Sequence, residues 1–153
     1  MPDLRITRRR LPHWELEGST YFVTFRLIGS ILTAPERRIV LEHIIAGHGR
    51  FYTLIAATVM PDHAHVLIEP KAGVALSRIM KGTKGASSRA VNKARGEHGS
   101  LWQEESFDRI VRDQQELDEK LHYMLNNAAK RGLVEDPWLY DGWFFNRAVA
   151  EKW

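Results

Sequence analysis

Two histidines one residue apart, His63 and His65, open an apolar run, Val66-Leu67-Ile68, that Glu69-Pro70 closes. Such a run, bounded by turn residues, reads as a buried strand. Side chains at i and i+2 of a strand share a face, so both imidazoles aim at one spot at the edge of a sheet. Imidazole nitrogen suits Mn²⁺, Zn²⁺ or Ni²⁺, and tolerates Mg²⁺ where oxygen donors complete the shell. Two ligands do not complete a site. The same pattern also arises by accident, with each ring bonded to a backbone carbonyl. A metal reading therefore needs a third donor and a reactive group from elsewhere in the chain.

A late helical pattern supplies candidates for both. Asp113, with Glu116 three residues on, reads as a capping box, and Gly132 as the stop. Leu117, Leu121, Met124 and Ala128 form its core stripe. Tyr123 and Asn127 stand one turn apart on another face. The carboxamide oxygen of Asn127 is a suitable third ligand. A lone tyrosine off the core stripe is most simply a solvated surface residue, so the residue pattern alone assigns Tyr123 no role. His122 points elsewhere on the helix and receives none.

These groups need a scaffold, and 153 residues make one ordinary domain, 44% hydrophobic and 27% charged, able to bury a core. The net charge of +3 is compatible with nucleic acid without requiring it. With no cysteine, disulfides and thiolate metal sites are excluded. The absence of a signal-peptide pattern or of an apolar stretch near membrane-spanning length leads to the expectation of a soluble, cytoplasmic protein away from membranes.

The remaining elements follow in order. Residues 1–14 form a basic N-terminal arm with Arg8, Arg9 and Arg10, which either grips phosphates or is solvated. Tyr21 to Leu27 is the clearest strand, with Phe22, Thr24 and Arg26 on one face and Tyr21, Val23, Phe25 and Leu27 on the other. Thr33 or Ala34 caps a helix with Pro35 in its first turn, ended by Gly47 or Gly49. Phe51 to Met60 is a second strand, and Pro61-Asp62 turns it into the histidine strand as a hairpin. Residues 71–95 carry Lys71, Arg78, Lys81, Lys84, Arg89, Lys93 and Arg95 with no acidic residue. That is either a solvated helix face or a phosphate-binding one, and the missing counter-charge favours phosphate. Gly82 and Gly85 within that helix would allow a close backbone approach or a break. Leu101-Trp102-Gln103 and Phe107 to Val111 read as short extended pieces that include a fourth strand. In the aromatic C-terminal tail, residues 133–153, Trp138, Tyr140, Trp143 and Phe145 are expected to pack on the domain rather than stack on bases.

Five blocks in this order carry a resemblance to a known family. They are Tyr21-Phe22-Val23-Thr24-Phe25-Arg26; Met60-Pro61-Asp62-His63-Ala64-His65-Val66-Leu67; Leu76 to Lys81 with Lys84-Gly85; Leu101-Trp102-Gln103 with Phe107-Asp108; and Tyr123 to Val134. The chain resembles the single-tyrosine HUH transposases, the IS200/IS605-like enzymes, and looks most like their REP-associated tyrosine transposases. The resemblance runs from about Tyr21 to Val134. Two departures stand out: Asn127-Ala128 where the family usually has Asn-Pro, and Arg109 where it often has His after the Asp matched by Asp108.

What the resemblance implies is specific. The fold would be an α+β, ferredoxin- or RRM-like sandwich, a four- or five-stranded antiparallel sheet with helices on its faces, spanning residues 1–153 as a single domain. His63, His65 and Asn127 would bind a divalent metal, Mg²⁺ or Mn²⁺, and the Tyr123 hydroxyl would attack a scissile phosphate. The products would be a 5′-phosphotyrosine and a free 3′-OH, and reversal would rejoin strands. The partner would be single-stranded or hairpin DNA, with Arg8, Arg9, Arg10, Arg26, Arg78, Lys81, Lys84, Arg89 and Lys93 as phosphate contacts. Relatives include monomers and domain-swapped dimers, so a homodimer is open. Two alternatives stand beside this: a non-catalytic RRM-like nucleic-acid-binding module, and a metal-dependent phosphodiesterase that uses water in place of Tyr123.

Overall fold

Alternation along the first strand sets up a two-sided sheet. In the computed structural model, residues 18–151 are described. Strand β1 (Thr20–Arg26) turns Tyr21, Val23 and Phe25 into one core and Phe22 towards a second. It is followed by α1 (Ala34–Ala46), β2 (Tyr52–Val59), β3 (His63–Pro70), α2 (Leu76–Arg95), β4 (Phe107–Val111) and α3 (Gln114–Lys130). A 3-10 turn (Pro137–Leu139), β5 (Trp143–Phe145) and α4 (Arg147–Glu151) end the described chain. The five strands lie in the order β4-β1-β3-β2-β5, every pair antiparallel. This is the α+β sandwich expected, with the larger of the two strand numbers.

The two helical layers bury different residues of the same strands. Helices α1 and α2 cover Val23, Phe25, Leu54, Val66 and Ile68 with Val40, Ile44, Ile79 and Val91. Helix α3 covers the other face, where Leu117, Leu121, Met124 and Leu125 meet Ile55, Leu67 and Val111. Each such side chain contributes about 1.5–3 kcal/mol when fully buried, so both layers are held chiefly by apolar contact. In β2 the pairing slips between Leu54 and Ala56. This bulge absorbs one residue, which lets Leu54 and Ala57 face one core while Ile55 and Ala56 face the other.

Local signals explain the helix ends. Thr33 caps α1 in a full capping box with Glu36. The Glu36 carboxylate also accepts from Arg95 Nε at 2.6 Å and Nη2 at 3.0 Å, which ties α1 to the last turn of α2. That pairing with Arg95 holds the Glu36 carboxyl down at about 2. Asp113 caps α3 as expected, accepting from the Glu116 amide at 2.8 Å. The reciprocal half of the expected box is replaced: the Glu116 carboxylate accepts from Arg109 of β4 instead.

Three sequence expectations are corrected. Helix α2 runs unbroken through Gly82 and Gly85 for 20 residues. Burial of Ile79, Met80 and Val91 at its two ends outweighs the roughly 1 kcal/mol that each helical glycine costs. The strands run Tyr52–Val59 and His63–Pro70 rather than 51–60 and 63–69. The tail packs through Trp138, Trp143 and Phe145 as expected, but also contributes β5, which pairs with β2. Gly142 permits that approach, since a Cβ there would collide with the Val59 carbonyl and the Tyr140 ring.

Candidate active site

The β2–β3 turn fixes where the histidines begin. The Leu27 amide donates to the Asp62 carbonyl at 3.0 Å, the Leu32 amide to Pro61 at 2.8 Å, and the Met60 amide to His63 at 2.7 Å. His63 and His65 follow on the face that α3 covers, both buried, with ring centroids 4.7 Å apart. Register places Arg26 opposite His63, and Thr24 and Thr58 on either side of His65. Each ring is oriented through Nδ1. His65 Nδ1 lies 2.7 Å from Thr24 Oγ1, and His63 Nδ1 lies 2.7 Å from Asp62 Oδ1. Phe22 stacks on the His65 ring at 5.1 Å.

Burial, with His63, Arg26 and Lys120 nearby, lowers the His65 pKa to about 3. Burial also lowers that of His63, although the Asp62 carboxylate opposes it. Both rings are neutral at pH 7, the form that offers a lone pair to a metal.

Helix α3 brings the second set of groups. The Tyr123 ring meets the His65 ring edge-on at 5.4 Å and the Phe22 ring at 6.3 Å, and is 49% exposed. A tyrosine off the core stripe thus stands directly against the histidine pair. Asn127, one turn on, is buried. Lys120, one turn before, holds its ammonium 4.8 Å from the centre of the Phe22 ring. Arg131, the cap residue of α3, donates from Nη1 to Asp62 Oδ1 at 2.9 Å.

The donor set fits a small divalent cation. His65 Nε2 and Asn127 Oδ1 are both buried without a hydrogen-bond partner, as is Thr58 Oγ1 beside His65. Unsatisfied buried polar atoms are rare and costly, and these are electron-pair donors on facing elements. Among the described residues no group of three or more His, Cys, Asp or Glu is placed so that it could hold a metal ion. A site here would therefore take two imidazole nitrogens and an amide oxygen, with water or phosphate oxygen completing the shell.

The basic residues divide between places. Arg26 is exposed at the histidine end of β1. Arg78, Lys81, Arg89 and Lys93 are all exposed on α2, across the sheet from the histidines. Arg78 and Lys81 border a cleft of about 490 Å³ between α1 and α2, together with Arg50. Lys84 is engaged internally, donating to the carbonyls of Gln103 and Glu104, each at 2.9 Å. Arg8, Arg9 and Arg10 lie outside the described residues.

Asp62, Thr24, Lys120 and Arg131 escaped the sequence reading. Helical spacing from Tyr123 and Asn127 points to Lys120 and Arg131, and Asp62 adjoins His63. Thr24 becomes visible only through strand register.

Comparison with known proteins bears on the family and the fold. The family model described as "Transposase IS200 like" matches residues 35–128, which contain both histidines, Tyr123 and Asn127. Among solved structures, a REP-associated tyrosine transposase bound to a REP hairpin superposes with a TM-score of 0.71 at 21% identity. The match covers 96% of this chain and 87% of that one. A protein of Deinococcus radiodurans described as a candidate transposase superposes with a TM-score of 0.50 at 20% identity, covering 76% of this chain and 92% of that one. At these identities the likeness is one of fold. No curated protein matches the chain significantly.

Proposed function

Since the chain belongs to the IS200-like transposase family, we propose that it nicks and rejoins single-stranded DNA through a tyrosine–phosphate intermediate. The observation that carries this reading is the contact of the Tyr123 ring with His65, beside the unpartnered His65 Nε2 and Asn127 Oδ1. The Tyr123 hydroxyl attacks the scissile phosphorus, its proton passes to solvent or to a nearby base, and the 3′ oxygen leaves as a free hydroxyl. The DNA remains joined to the enzyme as a 5′-phosphotyrosine. Attack by another 3′-OH reverses the step and conserves the phosphodiester energy.

His63, His65 and Asn127 would hold a divalent cation, Mg²⁺ or Mn²⁺. When bound, the ion supplies polarisation of a non-bridging phosphate oxygen. Arg26, at the same end of the sheet, and Lys120, beside Tyr123, supply positive charge for the phosphate. The substrate is single-stranded DNA next to a hairpin, because a helix-borne nucleophile needs a splayed strand to reach the phosphorus. Similarity to a structure bound to a REP hairpin supports that choice. The single domain extends over residues 1–153, with the basic arm 1–14 assisting DNA binding.

The test is covalency. Wild-type protein incubated with Mn²⁺ and a hairpin bearing a single-stranded flank should yield an adduct that survives denaturation. Tyr123→Phe keeps the ring and should bind the hairpin yet give no adduct and no 3′-OH product. His63→Ala and His65→Ala should lose cleavage by more than about hundredfold while retaining hairpin binding. An adduct mapped to another tyrosine would overturn the assignment, and cleavage without any adduct would favour hydrolysis by water.

A further inference from the structure

Two elements of the candidate site meet at one oxygen. Asp62 Oδ1 accepts from His63 Nδ1 at 2.7 Å and from Arg131 Nη1 at 2.9 Å. The Asp62 backbone is itself pinned to β1 through Leu27. Arg131 closes α3 one turn beyond Asn127, its amide reaching the Asn127 carbonyl at 3.3 Å. Helix α3 is packed on the sheet chiefly by Leu117, Leu121, Met124 and Leu125. Beyond these, only Ala128 of its last turn enters a buried apolar cluster, with Met60 and Tyr140.

We infer that Asp62 and Arg131 are positioning residues that fix the histidine pair and the tyrosine helix relative to one another. The inference rests on the function proposed above and adds to it two residues with separate tasks. Asp62 accepts the hydrogen bond donated by His63 Nδ1–H, which selects the tautomer whose Nε2 lone pair is free for a cation. Outer partners of this kind hold a ligating imidazole in one orientation and tautomer. Arg131 grips the same carboxylate and so ties the last turn of α3 to the turn that opens β3. Both side chains are more than 40% exposed, so their Coulomb attraction contributes little to stability. What they provide is geometry, in the one stretch of α3 that carries Asn127.

The two tasks separate experimentally in the full-length protein. Mn²⁺ affinity without DNA, read by electron paramagnetic resonance, should fall at least about tenfold in Asp62→Ala. It should fall less in Asp62→Asn, which keeps an acceptor oxygen. Long-range ¹H–¹⁵N spectra at neutral pH should show His63 protonated at Nδ1 in the wild type and not held so in Asp62→Ala. Arg131→Ala should leave the His63 tautomer as in the wild type and lower Mn²⁺ affinity only through Asn127, which lies in the turn that Arg131 holds. It should slow adduct formation at saturating DNA by about tenfold or more, as a displaced nucleophile does, with half-saturation unchanged. Arg131→Lys should restore most of the rate.

Unchanged Mn²⁺ affinity and tautomer in Asp62→Ala would overturn the role of Asp62. A rise in the half-saturating DNA concentration for Arg131→Ala, with full rate at saturation, would make Arg131 a plain phosphate contact and overturn its role. Neither result would touch the Tyr123 adduct. Conversely, a wild type that forms no adduct refutes the proposed function, while the His63 tautomer in wild type and Asp62→Ala still decides whether Asp62 orients the ring.

Discussion

At the scale of single residues, neutrality of the buried imidazoles has a measurable consequence. The His65 pKa is lowered from 6.5 to about 3 in the folded protein, first by burial. The unfolded chain therefore takes up a proton that the folded chain refuses. Stability is fully present above about pH 6.5 and declines as pH falls towards 3. Thermal unfolding without metal should show this decline, and His65→Asn should flatten it across that window; an equal slope in both proteins would contradict it. The pair itself is legible in the sequence, because i, i+2 spacing on a strand is a direct geometric statement. So is Asn127, as an amide one turn from Tyr123. Tyr123 gains a role only by resemblance, because half-exposed tyrosines are ordinary and its ring contact with His65 depends on how α3 lies on the sheet. Thr24 and Arg26 are readable as strand residues facing the right way, but their pairing with His65 and His63 depends on register between strands 41 and 37 positions apart.

Among elements, those with strong local chemistry are the readable ones. Thr33, Pro35 and Glu36 announce α1, and Asp113 announces α3. Helix α2 misleads because its two interior glycines speak locally for a break while its burial is tertiary. Strand β5 is hidden because three aromatic residues acquire strand character only by pairing with β2. The bulge in β2 blurs its period, since Leu54 and Ile55 are adjacent apolar residues that serve opposite cores. The tie between α1 and α2 gives a test at this scale. Glu36→Gln should destabilise the fold by about 1–3 kcal/mol, measured by urea unfolding at pH 7. The Glu36 carboxyl is depressed from 4.5 to about 2, so its contribution is present above about pH 4.5 and fades as pH falls towards 2. The Gln variant should lack that part of the acid sensitivity, and a variant as stable as wild type at pH 7 would show the tie to be dispensable.

For the whole molecule, the sheet separates two sets of candidate residues. The histidines, Tyr123 and Arg26 lie on one face, and the exposed cations of α2 lie on the other. Both histidines stand at the start of β3, the central strand, at the end of the sheet where β1 finishes and not on a lateral edge. If α2 binds phosphates, Arg78→Glu with Lys81→Glu should weaken hairpin binding. The log–log salt slope should flatten by about 0.7 for each single-strand phosphate that is no longer neutralised. Lys84→Gln should instead lower stability, since its ammonium holds the 103–104 backbone, and leave the slope unchanged. Equal slopes for the double variant and wild type would show that face to be merely solvated.

The central place of β3 in the strand order also divides the molecule by timescale. Its backbone is bonded to β1 on one side and β2 on the other, with two further strands outside them. Amides of Ala64 to Ile68 can exchange with deuterium only when the whole sheet opens. The backbone of the last turn of α3 is bonded within its own helix end and not to a strand, so it can open without the sheet opening. The imidazoles thus belong to the slowest-opening unit of the fold, and Asn127 to a segment that can open and close while β3 stays still.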